Sequence, residues 1–83
     1  MTIELGEDIG VKNIKEFYLR LKKIMKEEAE IILDFKKVTR IDLSLAQLLI
    51  AANREFMKRN KKFMLKSVSK EIKKQLYLAG FAQ

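Results

Sequence analysis

Residues 31–35, Ile31-Ile32-Leu33-Asp34-Phe35, are a short apolar run broken by one acid, set between two longer segments of helical period. A run this short with a β-branched start favours a strand, and its continuity favours burial on both faces, as in a parallel sheet. Before it, Ile14, Phe17, Tyr18, Leu21, Ile24 and Met25 recur at the spacing of one helical stripe, with Lys15, Lys22 and Lys26 off it. After it, a second helix is expected over residues 44–59. A further strand, residues 62–68, centres on Phe63-Met64-Leu65, and Ser69 opens a third helix carrying Ile72, Leu76 and Ala79. Gly80 then serves as a left-handed stop, with Phe81 packing back on Leu76.

Toward the N-terminus, residues 2–5 alternate as a short edge strand, residues 6–8 turn, and residues 9–11 form a second short extended piece. The helical period begins near Lys12. Val38 and Ile41 bracket a connection that stays tied to the core. The resulting order is β-(β)-α-β-α-β-α. Strands joined through helices make parallel pairs by right-handed crossovers. Residues 1–83 therefore read as one α/β domain, a small mostly parallel sheet with helices packed on it.

Composition narrows the chemistry. The chain has no Cys and no His, which removes thiol nucleophiles, His-based acid–base catalysis and the common zinc and haem ligand sets. Its three glycines form no phosphate-cradling loop. Asp34 stands alone in a strand and Asp42 alone at a turn, where it reads as a turn-former bonding to backbone amides. The expectation is a domain without catalysis, cofactor, metal or small-molecule substrate. With no basic-then-apolar leader and no run near the ~18 apolar residues of a membrane span, a cytoplasmic location is expected.

The richest stretch is residues 38–49, Val-Thr-Arg-Ile-Asp-Leu-Ser-Leu-Ala-Gln-Leu-Leu, where a strand gives way to an apolar helix. Ser44, with Gln47 three residues on, reads as the helix N-cap and its capping box. A hydroxyl at that corner also faces a partner. Phosphorylation there would add about −1.5 to −2 charges beside Asp42, on a surface otherwise neutral or apolar. The helix itself has two apolar stripes. Leu45, Leu48, Leu49, Ala52 and Phe56 make the core face, while Ala46, Ile50 and Met57 make another about 120° away, with Asn53 between. The second stripe meets either a neighbouring helix of the domain or another protein. Asp42, Leu43, Ser44, Ala46, Gln47, Ile50, Asn53 and Met57 thus form the candidate partner surface.

The net charge of +7 lies wholly in residues 54–74, which hold nine basic side chains against Glu55 and Glu71. Arg54, Lys58, Arg59, Lys61 and Lys62 form its densest patch, read as a solvated face or a guide for an acidic protein partner. Nucleic acid is disfavoured because Phe63 sits in a buried-strand pattern, leaving no aromatic platform beside the lysines.

Taken together, Ile31-Ile32-Leu33-Asp34-Phe35, Val38-Thr39-x-Ile41-Asp42-x-Ser44, Phe63-Met64-Leu65 and Leu78-Ala79-Gly80-Phe81 resemble the STAS domain, the family of the bacterial anti-sigma-factor antagonists. The resemblance spans residues 9–81. It implies a small mixed sheet with helices packed on it and no catalysis. In antagonists, the Ser two places after the Asp is phosphorylated by a partner serine kinase that doubles as an anti-sigma factor; Ser44 stands at that position and Asp42 matches the acid. Other members are accessory subunits of lipid-transport ABC complexes or accompany chemotaxis-type signalling proteins. The chain departs from the family in Leu45, where Gly is common, and in Leu43, where a small polar residue is usual. Three functions follow: a phosphorylation-switched protein-binding regulator, a constitutive accessory subunit, and a basic nucleic-acid or anionic-lipid binder.

Overall fold

The computed structural model describes residues 1–6, 8–9 and 14–81. It comprises β1 (Thr2–Glu4), β2 (Asp8–Ile9), α1 (Ile14–Glu27), β3 (Glu30–Asp34), β4 (Arg40–Ile41), α2 (Leu43–Lys58), β5 (Lys62–Lys66) and α3 (Lys70–Ala79). The expected turn at Glu7, the extended residues Gly10 and Val11, and a helical start at Lys12 lie outside the described residues. The α/β class expected from the sequence is the one observed.

The main sheet has the order β1-β3-β5, all parallel, with Ile3, Leu33 and Leu65 aligned across it and Ile31 beside Phe63. A right-handed crossover from each strand to the next in one constant direction puts every connecting helix on the same face. Ile3, Leu5, Ile31, Leu33 and Phe63 are accordingly buried under the helices. The opposite face carries Thr2, Glu4, Ile32, Met64 and Lys66, none of them buried. The expectation that β3 is buried on both faces is therefore corrected. The monotonic strand order leaves Ile32 half-buried and Met64 exposed, with no helix above them among the described residues.

At the end of that open face the charges pair. Lys36 and Lys37 meet Glu4 at 3.3 and 2.9 Å, and Lys66 approaches the buried Asp34 at 4.0 Å. The two ammonium groups hold the Glu4 carboxyl below the usual carboxylate range, through their hydrogen bonds to it. Asp34 also accepts from the Lys36 amide at 3.0 Å, which fixes the turn after β3. Glu4 and Asp34 are neighbours in register, but each is engaged by lysine, an arrangement of ion pairs rather than of acid and base.

One element was not expected. Arg40 and Ile41 pair in parallel with Asp8 and Ile9, so the connection after β3 contains a strand, β4, in a separate two-stranded sheet. Local pattern does not show it, because it is two residues long and its partner lies more than thirty residues upstream.

The helices bury the faces their periods mark. In α1, Phe17, Leu21, Ile24 and Met25 are buried, whereas Tyr18 is 42% exposed under the Lys22 ammonium, 5.3 Å from its ring centroid. In α2, Leu45, Leu48, Leu49, Ala52 and Phe56 are buried, and the Phe56 ring packs on Phe63 with centroids 5.3 Å apart. α2 and α3 end alike. The Lys61 amide bonds back to the Phe56 carbonyl with Asn60 left-handed, and the Phe81 amide bonds back to Leu76 with Gly80 left-handed at φ 102°. Phe81 and Leu76 join the core, as the sequence implied.

Candidate functional site

α2 begins directly where β4 ends, and the cap is Asp42. Its backbone is extended (φ −105°, ψ 174°) and its carboxylate Oδ1 accepts from the Leu45 amide at 2.9 Å. Ser44 is not the N-cap: it lies inside the first turn, two residues past the cap, and among the described residues Gln47 makes no reach-back bond. The physical reason is β4. Pairing of Ile41 with Ile9 holds the chain extended up to that residue, so the helix starts at once and the first competent side chain, Asp42, takes the cap. Asp42 does bond to a backbone amide as expected, in a capping role.

Ser44 is half-buried, and among the described residues its hydroxyl makes no hydrogen bond. It lies in the first turn of α2, at the positive end of the helix. Leu45, the residue that departs from the family pattern, turns into the core and is fully buried, so its side chain does not flank the hydroxyl. Leu43 does the opposite and is 64% exposed.

The second stripe of α2 divides. Ala46 is buried, and Ile50 is half-buried against the core, where a Cβ placed on Gly80 would stand 3.9 Å from Ile50 Cδ1. Ile50 is therefore taken up by the end of α3 within the same domain, while Ala46 faces α3 across a hollow. Asn53 is half-buried, while Gln47 and Met57 are exposed. Where α2 starts and α3 ends, a shallow hollow of about 270 Å³ lies between Ile41, Asp42, Leu43, Ala46, Leu78 and Ala79, with Gln75 beside them. Leu43 and Leu78, 64% and 73% exposed, stand at this hollow. The contribution of α3 to the corner was missed from the sequence. The one signal was Leu78, a bulky apolar residue outside the stripe of Ile72, Leu76 and Ala79.

The basic patch also resolves into parts. The Lys61 ammonium donates to the carbonyl of Met25 near the end of α1, which makes it a structural cation. Lys58 reaches Glu55 at 3.7 Å within α2. Lys62 is exposed on β5 and its amide donates to Ala29 at 3.0 Å. Arg54 and Arg59 make no ion pair among the described residues.

Replacing Asp42 by alanine removes the cap and should cost about 0.5–2 kcal/mol in urea unfolding. Ser44→Ala, with no hydrogen bond to lose, should lie within about 0.5 kcal/mol of the wild type. Equal losses in the two variants would contradict the assignment of the cap.

Among the described residues no helix is long and apolar enough to cross a membrane, and no group of three or more acidic side chains could hold a metal ion. A search of curated proteins finds no match. The family model of the STAS domain matches residues 1–83, the whole chain, so this protein belongs to the STAS domain family, whose members are as a rule non-catalytic domains of protein interaction and regulation.

Proposed function

We propose that this STAS domain is a protein-binding regulator of the anti-sigma-factor-antagonist kind, docking through the corner where α2 starts and α3 ends and switched by phosphorylation of Ser44 by a partner serine kinase. The observation that carries the reading is the pair of exposed leucines, Leu43 and Leu78, at one apolar hollow, with Leu43 next in the chain to Ser44, whose hydroxyl makes no hydrogen bond among the described residues. Bulky side chains held this far out on a helix N-terminus and a helix C-terminus gain nothing for the fold and supply a contact for a partner. A phosphate on Ser44 would be favoured locally by the two free amides of the first turn and by the helix dipole. It would also set about two negative charges against Asp42 and against any apolar partner seated on Leu43. The modified corner would release that partner.

The mass of the protein isolated from cells that naturally make it tests the switch. A species heavier by one phosphate, abolished in Ser44→Ala, is the expected result. Ser44→Asp should then weaken partner binding. A single unmodified mass under all growth conditions, with full function of Ser44→Ala, would refute it.

One observation favours a second reading. Leu43 stands exposed immediately before Ser44, where a small polar residue is usual in antagonists. A large apolar side chain there suits a permanent contact, as in an accessory subunit of a transport or chemotaxis-type complex. On that reading Ser44→Ala leaves the complex intact.

A further inference from the structure

A second concave surface lies at the other end of α2, about 16 Å from Ser44 along the helix at 1.5 Å per residue. α1 and α2 enclose a groove of about 540 Å³ whose floor includes Leu21, Met25 and Phe56, with the exposed Tyr18 and Ala51 also lining it. Its charged lining is Lys22 from α1, Arg54 and Lys58 from α2 and Arg59 at the C-cap of α2, against Glu55 alone. The fold accounts for only part of that charge. Lys58 pairs with Glu55 and lies in the last turn of α2, where a cation complements the helix dipole. Lys22 lies over the Tyr18 ring, Arg54 is clear of the last turn, and neither arginine has an ionic partner among the described residues.

An apolar floor between two helices with cations from both of them complements one kind of ligand closely. We propose that the α1/α2 groove is a docking site for an acidic amphipathic helix of a partner protein, whose apolar residues at i, i+3/i+4 and i+7 lie over the floor while its carboxylates meet Lys22, Arg54 and Arg59. A nucleic acid has no use for a recessed apolar floor, and Tyr18 carries Lys22 over its ring instead of offering a bare stacking platform. A membrane surface needs apolar side chains that project, whereas Leu21, Met25 and Phe56 are sunk beneath the charges. The site is separate from the Ser44 corner and does not depend on it.

Photo-crosslinking tests the proposal on the full chain. Benzoylphenylalanine in place of Ala51, irradiated in cells that naturally make the protein, should capture a protein segment, and mapping the adduct should show an excess of Asp and Glu with helical apolar spacing. Arg54→Glu with Arg59→Glu should abolish the adduct, with the melting temperature lowered by no more than about 8 °C through the acid placed at the C-terminal end of α2; if that pair fails to fold, Arg54→Glu alone should weaken it. The captured segment, made as a peptide, should lose about tenfold in affinity as salt screens the cations. Adducts only to lipid or nucleic acid, a captured segment without acidic excess, insensitivity to the arginine changes, or no adduct would each overturn the proposal. The same photo-residue at Leu43 reports on the Ser44 corner, so failure at one surface is distinguished from failure at the other.

Discussion

Phe56→Ala should bring the domain close to unfolding at room temperature. The side chain is 1% exposed, and its ring locks α2 onto β5 through Phe63 at 5.3 Å between centroids. Truncating a buried phenylalanine costs about 3–5 kcal/mol in lost burial and residual cavity. The total stability of a domain of this size is about 4–12 kcal/mol at the usual 0.05–0.15 kcal/mol per residue. A loss on that scale shifts the thermal midpoint downward by more than roughly 12 °C, since each kcal/mol moves a small domain by about 4–8 °C. Met64→Ala supplies the contrast. Met64 is 46% exposed on the open face of the sheet, so its truncation should change stability by less than about 1 kcal/mol. Urea unfolding followed by far-ultraviolet circular dichroism compares the two, and similar losses would mean that the helices do not all pack on one face.

The second large effect is on binding. Leu43→Asp combined with Leu78→Asp should weaken capture of the partner at the α2/α3 corner by about a hundredfold, the loss of two apolar anchors worth upward of 2 kcal/mol together. The fold should not suffer. Both leucines are mostly exposed, and the acid gained in the first turn of α2 is favourable to the helix dipole and offsets the unfavourable acid in the last turn of α3. Tyr77→Asp is the control, since Tyr77 is 74% exposed one residue before Leu78 yet does not line the hollow. Calorimetric titration of the isolated partner should separate the double variant from the control. If Tyr77→Asp weakens binding as much as the leucine pair, the contact surface is the outer face of α3 rather than the hollow.

What the sequence disclosed and what it hid follow from the range of the interactions involved. The stripes of α1 and α2, the Ser69 cap, and the left-handed stop at Gly80 depend on residues within a turn or two of each other, and local spacing carries them. Ser69 accepts from the Ile72 amide at 3.2 Å, as its position implied. The cap of α2 was misplaced because Asp42 and Ser44 are both competent, and a strand pairing more than thirty residues away decides between them. The second burial face of β3 was inferred from its short, continuous apolar run, whereas the strand order β1-β3-β5 determines which face is covered. The hollow at the corner could not be read from residues 38–49, since Gln75, Leu78 and Ala79 of its wall come from α3. The two stripes of α2 were visible, but which of their residues α3 would claim was not.

The constant direction of the sheet also bears on how the chain is made. Each main strand pairs with the one completed just before it, Thr2 with Ile32 and Ile31 with Phe63, separations of 30 and 32 residues. The unit of β1, α1 and β3 can therefore close as it leaves the ribosome, without waiting for later residues. Until α2 and β5 follow, the growing edge at β3 leaves Ile31 and Leu33 only partly covered, which is the interval of greatest danger from pairing with another nascent chain. The last strand to dock brings a lysine at each end, Lys62 and Lys66, and edge lysines of this kind discourage the finished sheet from growing further.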